Sequence, residues 1–410
     1  MKLVDNTPSQ FEQLASQLRD CGANLVPVQH AASHSELRSR FNGDLRKAVC
    51  MSLESPVDFP PLERCTVPGD RVAIAIDESV PRLLEIVAGT IDAFETAGVG
   101  GDAISVVIRE SHCTTDLAQQ LGELGHQSTR IVIHEPNSEA QLCFVGSLQN
   151  GQPLLINRTL FEADVIFPIG CTRLDEVVGA AGVFGSLYPR FADAETIRRW
   201  RMIDVLDSDQ HARWRNEAEE AGWLIGAPFV MEVVPGPRGS AARVVAGEAR
   251  AVVQESLATC RELWSCQVSQ TASLVIATID DGHPTQSWEN VARAVGAAQG
   301  VLQDDGALAI CSPPLESPSK SLQRLAAAEP ADVLRQLRHD AERDTWSAWQ
   351  LAQARLRGPV YLLGGLDMEV TEELGLAPVS DFAELTRLAS RHESCILLED
   401  SHQCVVTTSE

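Results

Sequence analysis

The chain has 410 residues, of which 44% are hydrophobic, and this length exceeds what one typical hydrophobic core organises, so we expect two domains. The formal net charge of −24 creates a negative field that repels phosphate backbones and anionic lipid surfaces, which argues against nucleic acid and membranes as partners. The same field slows the approach of an anionic substrate unless the binding site itself is locally positive.

The cysteine content and the start of the chain predict a reducing compartment. The eleven cysteines are an odd number and include no CxxC pair, so free thiols are favoured over a disulfide framework or a zinc knuckle. The segment MKLVDNTPSQFEQL contains no apolar run long enough for a secretion signal, and no later stretch approaches a membrane span. We therefore expect a cytoplasmic protein, and a homo-oligomer is compatible with the sequence.

The first clear periodicity begins at PGDRVAIAID, where residues Arg71 to Asp77 have the apolar pattern of a buried strand. Pro81 lies where a helix would begin, RLLEIVAGTIDAFETAG has apolar residues at 3.6-residue spacing, and Gly98 favours its end. A second strand, Ala103 to Ile108, precedes the helical pattern TTDLAQQLGEL, and a third strand, TRIVIHE, follows. This alternation of strands and helices predicts a parallel sheet.

In an open parallel sheet, ligands bind outside the carboxyl ends of the strands. The residues at these ends are Asp77, Glu110 to Cys113, His134 and Gly170 to Arg173. Arg173 is the nearest candidate for a local positive charge that would hold an anion. We interpret His134 as a hydrogen-bonded structural histidine, the more common role of a histidine after an apolar strand.

A glycine-rich loop follows the strand DVIFPIG. The loop includes Gly179, Gly182 and Gly185, an arrangement that brings backbone N–H groups close to a ligand. It contains no lysine and no histidine, and it fits neither the GxGxxG nor the GxxxxGK[ST] spacing. Before it, CFVGSLQNGQPLLIN contains Asn150-Gly151 between two strand-like runs, which predicts a hairpin.

A second alternation follows RELWSCQVSQT and predicts a second α/β domain. Its strands are SLVIATID, ALAICS, PVYLLGG and CILLED, and its helices are SWENVARAVGAAQGVL, a stretch from about Ser319 to Arg357, and SDFAELTRLAS. We place the domain boundary near residue 268, which gives domains over residues 1–268 and 269–410. Within the first domain, residues 1–65 are predicted to form an irregular segment in front of the first strand.

The order of these motifs resembles the nickel-dependent lactate racemase family over roughly residues 65 to 400. The resembling segments are VAIAIDESVP, VVIRESHCTTDLAQQLG, DVIFPIG, the glycine loop with ETI, and DGHPTQSWENVARAVGAAQGVLQDDGALAI. The resemblance implies two α/β domains with mainly parallel sheets that enclose an interdomain cleft. It also implies an isomerase, a racemase or epimerase of a small 2-hydroxy acid.

In that family, nickel is held on a pincer that a thioamide tethers to a lysine in the glycine loop, and a histidine completes the coordination. In this sequence the lysine position falls at Gly185, and the histidine position falls among Arg199, Trp200 and Arg201. Glycine offers no amine for the link, and arginine stays protonated and repels a cation. We therefore expect no tethered nickel pincer, we name no metal ligand, and any other cofactor is unknown.

The resemblance carries two candidate catalytic residues to this sequence. Asp77 matches the aspartate at a strand end, and His112 in SHC matches the histidine of a turn that serves as a proton acceptor. Racemisation by two bases needs one group on each face of the substrate, and the family's second histidine has no counterpart in CTRLDE. Asp175, Cys113 or Cys171 are alternatives for that second base.

Candidate substrate-binding residues come from both predicted domains. Arg173 lies at a strand end, and the family arginine expected shortly after the strand-end aspartate is replaced by Val80. The resemblance places the polar pair of the second domain near Asn290 and Arg293, which are three residues apart and therefore on one helix face. Trp346 matches a family tryptophan.

Three functions remain open from the sequence. The first is a racemase or epimerase of a small 2-hydroxy acid with altered catalytic groups. The second is a non-catalytic family member that binds a small carboxylate or a phosphorylated ligand through Arg173, Arg293 and the loop N–H groups. The third is a nucleotide-using enzyme, which ranks last because the glycine loop alone supports it.

Overall fold

The computed structural model describes residues 10–30, 44–109, 116–174, 182–202, 208–280, 282–283, 285–326 and 329–409, with the backbone alone at 10–12 and 208–211. Within these ranges the chain forms two compact units. The N-terminal unit contains residues 44–200 and 208–263, and the C-terminal unit contains residues 10–30, 201–202 and 264–409. In the same ranges, no helix has the length and apolar character needed to span a membrane.

The strands, in chain order, are β1 (Val28–His30), β2 (Val72–Ile76), β3 (Ile104–Ile108), β4 (Arg130–Ile133), β5 (Leu142–Ser147), β6 (Pro153–Asn157), β7 (Val165–Cys171), β8 (Phe229–Pro235), β9 (Ala241–Glu248), β10 (Ser265–Val268), β11 (Ala272–Thr278), β12 (Leu302–Cys311), β13 (Val360–Leu363), β14 (Ala377–Pro378), β15 (Cys395–Leu398) and β16 (Val405–Thr408). The helices are α1 (Gln10–Asp20), α2 (Leu45–Glu54), α3 (Leu83–Thr96), α4 (Leu117–Glu123), α5 (Arg158–Phe161), α6 (Ala194–Arg201), α7 (Ser208–Ile225), α8 (Ala249–Trp264), α9 (Trp288–Gln299), α10 (Lys320–Gln323), α11 (Pro330–Leu337), α12 (Thr345–Arg357), α13 (Met368–Glu373) and α14 (Phe382–Ala389).

The N-terminal unit is built on a six-stranded sheet in the order β4-β3-β2-β7-β8-β9. Every neighbouring pair is parallel except β8 and β9. Strand β2, VAIAI, is buried at every position because both faces of the sheet are covered. Ile74 and Ile76 pack in the core with helices α2 and α3, while Ala73 and Ala75 pack with Leu187 on the other face.

Local sequence signals correctly placed several elements of this unit. Helix α3 begins two residues after Pro81 and ends before Gly98, which has φ of 94° and so adopts a backbone conformation that favours glycine. The predicted hairpin forms from β5 and β6, with Gly151 at φ of 82° in the turn.

The C-terminal unit contains a five-stranded, all-parallel sheet in the order β14-β13-β12-β11-β15. The four strands predicted from SLVIATID, ALAICS, PVYLLGG and CILLED are present as β11, β12, β13 and β15. Both units therefore have mainly parallel sheets flanked by helices, and the predicted α/β class is confirmed.

The described part of the N-terminal segment differs from the expectation that residues 1–65 belong with the first domain. Strand β1 pairs antiparallel with β10, and β10 pairs parallel with β16, so residues 28–30 extend a sheet of the C-terminal unit. Leu14 and Leu18 of helix α1 pack in the same core as Leu385. Helix α1 packs its apolar side chains against residues that lie more than 200 positions later in the chain. The local sequence does not reveal these long-range contacts.

Candidate functional site

The ends of β2 and β7 and the middle of β8 form one row of residues across the N-terminal sheet. Ile76 of β2 pairs with Ile169 of β7, and Gly170 pairs with Glu232 of β8. The backbone N–H of Asp77 donates to the carbonyl of Ile169 at 3.0 Å. Asp77 and Glu232 therefore lie on opposite sides of Gly170, level with the carboxyl ends of β2 and β7. Ligands of parallel sheets bind at such strand ends.

The end of the glycine-rich loop lies over this row. Residues Val183–Ser186 form a single 3₁₀ turn, in which the N–H of Gly185 donates to the carbonyl of Gly182 at 2.9 Å. A side chain at Gly170 would contact Ser186 at 3.5 Å, so the turn sits directly against the strand end. Gly182 has φ of 60°, a conformation that glycine adopts without strain. The predicted loop glycines Gly182 and Gly185 thus lie next to the strand ends, and their ligand role stays a prediction.

Asp77 is buried and is the centre of a charged cluster. Arg190 donates to Asp77 Oδ2 at 3.0 Å and also forms an ion pair with Glu78. Ser79 donates to Asp77 Oδ1 from its backbone N–H at 2.8 Å and from its hydroxyl at 2.6 Å. Burial acts to raise the pKa of Asp77, but Arg190, Ser79 and Arg173 outweigh it and hold that pKa below its ordinary value. Asp77 is therefore an anion, which fits charge pairing better than proton transfer.

Two further arginines face the same carboxylates. Arg109 follows β3, and its Nη1 lies 3.9 Å from Glu78 Oε1. Arg173 follows β7 and acts electrostatically on Asp77. The structure thus brings together Asp77 and Arg173, as the strand-end argument predicted, and adds Arg109 and Arg190.

Glu232 is a buried carboxyl on the other side of Gly170. Thr172 donates its hydroxyl to Glu232 Oε2 at 2.9 Å. Burial raises the pKa of Glu232 to about 7, and the hydroxyls of Thr172 and Ser256 only partly offset that rise. A carboxyl with this pKa exists in both protonation states near neutral pH, as proton transfer requires.

His134 has a structural role, as the sequence analysis anticipated. Its Nε2 donates to the carbonyl of Ala192 at 2.9 Å, and its Nδ1 accepts from the Asn157 amide at 3.1 Å. Burial lowers the pKa of His134 to about 4, so the ring is neutral and both nitrogens are already used.

A second polar cluster occupies the segment where the relatives' nickel histidine was expected. Arg199 on α6 forms an ion pair with the buried carboxylate of Glu217 on α7. The same carboxylate accepts from the Tyr188 hydroxyl at 2.7 Å, from Asn150 at 3.0 Å and from the Trp200 indole at 3.3 Å. Arg199 and Trp200 are therefore committed to a buried network that ties α6 to α7.

The candidates of the C-terminal unit lie on or near helix α9. Ser287 caps the helix, since its side chain accepts from the N–H of Asn290. Arg293 donates to Asn290 Oδ1 at 3.1 Å and forms an ion pair with Glu289. Asn290 and Arg293 do lie on one helix face, but both are buried and hydrogen-bonded to each other.

Trp346 is the third candidate of the C-terminal unit, and it belongs to the first turn of α12. Among the described residues, its buried indole Nε1 has no hydrogen-bond partner. Such an indole could donate to an oxygen of a ligand. The substrate-binding roles of Asn290, Arg293 and Trp346 stay predictions.

Two predicted site residues, His112 and Gly179, lie outside the described residues. The alternatives Asp175 and Cys113 do as well, whereas Cys171 is the last residue of β7. The catalytic role of His112 and the ligand role of Gly179 therefore stay predictions.

Sequence reasoning missed Arg109, Arg190 and Glu232. Glu232 carried a local signal, because a single acid within the apolar strand FVMEVVP is a charged residue in a fully buried element. Arg190 carried none, since its partners lie 113 and 112 positions earlier in the chain.

Comparisons with known proteins agree with this architecture. The sequence model described as the lactate racemase N-terminal domain matches residues 25–213. The structure is similar to the lactate racemase apoprotein from Thermoanaerobacterium thermosaccharolyticum, with a TM-score of 0.73 and 18% identity over 88% of this chain and 93% of that chain. A protein from Thermotoga maritima is similar with a TM-score of 0.64 and 14% identity, over 90% of this chain and 99% of that chain. No curated protein sequence matches the chain.

Proposed function

Residues 25–213 belong to the lactate racemase N-terminal domain family, and from this premise we propose that the protein binds a small 2-hydroxy carboxylate at the carboxyl ends of β2, β3 and β7. The observation that carries the proposal is the convergence of Arg109, Arg173 and Arg190 on Asp77 and Glu78. A guanidinium group presents paired donors that match the geometry of a carboxylate.

Local charge supports this proposal. Three guanidinium groups against the two carboxylates of Asp77 and Glu78 give the cluster a charge of 3 − 2 = +1, while the whole chain carries −24. Glu232 has a pKa of about 7, so it is mostly protonated and uncharged at pH values below 7. The strand ends are therefore a positive patch on a negative protein, and such a patch is where a small anion is concentrated.

Isomerisation of the bound acid is a second candidate function, favoured by the position and pKa of Glu232. A base with a pKa near 7 can take the α-proton of a 2-hydroxy carboxylate, which leaves the electron pair delocalised into the carboxylate as an enediolate. The neighbouring guanidinium groups would stabilise that negative charge. A proton returned to the opposite face, with His112 as the proposed donor, would complete inversion.

The tethered nickel pincer that the resemblance implies does not fit the residues present. Gly185 supplies no amine in the turn over Gly170, and Arg199 is engaged by Glu217 and Tyr188. Intact-mass measurement of the purified protein is expected to give the mass of the unmodified chain, and a covalent adduct within residues 182–189 would contradict this proposal.

Ligand binding is tested by calorimetry with glycolate, both lactate enantiomers and malate. We expect Arg173→Gln to weaken binding of the preferred acid at least tenfold, because it removes one charge from the patch. The matched control is Arg250→Gln, which removes the same charge from an exposed position of α8. Equal affinities for both variants, or no binding of any acid, would refute the proposed site.

Isomerisation is tested separately by exchange of the α-proton into deuterated water. The unmodified chain is expected to exchange the α-proton of the acid it binds, and Glu232→Gln is expected to abolish exchange while binding persists. Binding without exchange in the unmodified chain would leave the non-catalytic carboxylate-binding function and remove the isomerase.

A further inference from the structure

A histidine between two carboxylates lies at the opposite edge of the N-terminal sheet. His126 and Ser128 precede β4, and the 3₁₀ turn Gly101–Ala103 precedes β3, so both segments are at the amino ends of these strands. Asp92 and Glu95 are three residues apart on helix α3 and face the same point. This cluster is therefore separate from the carboxyl-end site.

Each nitrogen of His126 faces one carboxylate of the cluster. His126 Nε2 lies 3.4 Å from Asp92 Oδ1, and His126 Nδ1 lies 3.8 Å from Glu95 Oε2. One nitrogen of His126 and one oxygen from each acid all lie within 4.8 Å of one another. Ligands bound at about 2.0–2.1 Å in a tetrahedral site are about 3.4 Å apart, so small side-chain movements would complete the geometry.

The burial of the His126 imidazole is a second observation in favour of a bound ligand. His126 is 5% exposed, and among the described residues its buried Nδ1 has no hydrogen-bond partner. A buried nitrogen without a partner costs free energy, which a bound ion would remove.

The surroundings of Glu95 hold one more oxygen close by. Glu95 Oε1 and Ser128 Oγ both lie against Gly101, within 2.6 Å and 2.5 Å of where a Cβ atom would stand. A side chain larger than hydrogen at position 101 would therefore collide with this corner of the cluster.

We propose that His126, Glu95 and Asp92 bind one divalent transition-metal ion, with zinc as the best match to one imidazole and two carboxylates. This donor set suits zinc better than magnesium, which prefers oxygen ligands alone. The ion would take the place of a ring proton of His126, whose Nδ1 faces Glu95 and whose Nε2 faces Asp92.

Arg46 contacts the site and is expected to affect its affinity for the ion. Its Nε donates to Asp92 Oδ2 at 2.9 Å, which leaves Oδ1 to face the histidine. A cation bonded to the outer oxygen of a ligating carboxylate fixes the orientation of that ligand, but its charge also opposes the bound ion. We therefore expect Arg46→Gln to strengthen zinc binding.

The position at the amino ends of the strands gives the ion a structural function. It would connect helix α3 to the turn between α4 and β4, joining Glu95 to His126 across 30 intervening residues. An ion that binds only the folded state stabilises it by a free energy that rises with the logarithm of the ion concentration relative to Kd.

The test is calorimetry of the metal-stripped full chain with zinc chloride, and with magnesium chloride as the comparison ion. We expect one zinc ion per chain, a raised Tm in its presence, and at least tenfold weaker binding for Glu95→Gln and His126→Gln. Glu123→Gln is the matched control, since it removes an exposed carboxylate from α4 with the same change of charge.

Each outcome decides the proposal. Loss of the zinc signal in Glu95→Gln with retention in Glu123→Gln supports the site. No zinc binding, or binding that Glu95→Gln leaves unchanged, overturns it. Glu95 is partly exposed, so this variant keeps the test valid even if circular dichroism shows that His126→Gln is unfolded.

Discussion

Arg190 donates a hydrogen bond of 3.0 Å to Asp77, a residue 113 positions earlier in the chain. The same guanidinium also forms an ion pair with Glu78. One side chain from the loop after β7 thus holds two consecutive acids at the end of β2. The position after Asp77 where relatives are expected to supply an arginine is the buried Val80, so the positive charge here comes from a different segment.

Replacement of Arg190 tests this bridge. Arg190→Lys keeps one positive charge but cannot donate to both carboxylates in a fixed plane, so we expect a loss of about 2 kcal/mol in the free energy of unfolding. Urea denaturation measures the change, and Arg250→Lys at an exposed position is the control. A loss no larger than that of the control would show that the bridge adds nothing to stability.

Glu232 makes stability depend on pH. Its pKa of about 7 in the folded protein lies above the ordinary value of 4.5, so the folded state binds the proton more tightly. The resulting stability is fully present below pH 4.5 and is lost as the pH rises through 7, which amounts to about 3 kcal/mol. Glu232→Gln keeps a side-chain oxygen that accepts from Thr172 and carries no charge, so we expect it to be more stable than the unmodified chain above pH 7 and similar at pH 4.5. Chemical denaturation at several pH values measures this, and an unchanged difference across the range would contradict it.

His134 changes stability with pH in the opposite direction to Glu232, over nearly the same pH range. Its folded pKa of about 4 lies below the ordinary 6.5, so its contribution is complete above pH 6.5 and is lost as the pH falls through 4. The slopes from Glu232 and His134 therefore oppose each other between about pH 4.5 and 6.5. We expect His134→Gln to retain the donor to Ala192 and to expose the Glu232 slope, with stability that falls as the pH rises. A flat profile for this variant would argue against one of the two assignments.

The buried carboxylate of Glu217 is expected to be the most sensitive acid of helix α7. Glu217→Gln leaves the Arg199 guanidinium half-buried without its counter-charge, and removing one partner of a buried pair typically costs about 3–5 kcal/mol. Because Arg199 is partly exposed, we expect the lower end of that range. Thermal and urea unfolding measure the loss, and Glu219→Gln, an exposed acid on the same helix, should change stability by less than about 0.5 kcal/mol. Similar effects of the two substitutions would show that the network does not stabilise the fold.

The fold was largely predictable because its signals are local. Apolar runs such as VAIAI and periodic segments such as RLLEIVAGTIDAFETAG determine strands and helices through their own burial. Parallel strands then bring Asp77 and Arg173 to one edge of the sheet, so these two site residues could be proposed without coordinates.

The electrostatic partners were not predictable in the same way. Arg190 meets Asp77 because a long connection returns to the end of β2, and Arg199 meets Glu217 because helices α6 and α7 pack together. Arg293 has the spacing of an exposed helix face, yet the structure buries it against Asn290. Such pairings depend on tertiary contacts, and no spacing rule in a single sequence encodes them.

The pairing of β1 with β10 affects how the nascent chain reaches its native state. Residues 28–30 leave the ribosome more than 230 residues before residues 265–268, and Leu25 must wait longer still for its bridge to Cys395. At about 5–20 residues per second this delay is on the order of tens of seconds, during which Leu14 and Leu18 lack their native partners. The N-terminal unit can complete its own sheet in that interval. Translation order therefore favours early folding of the N-terminal unit and later folding of the C-terminal unit, whose residues come both before and after it in the chain.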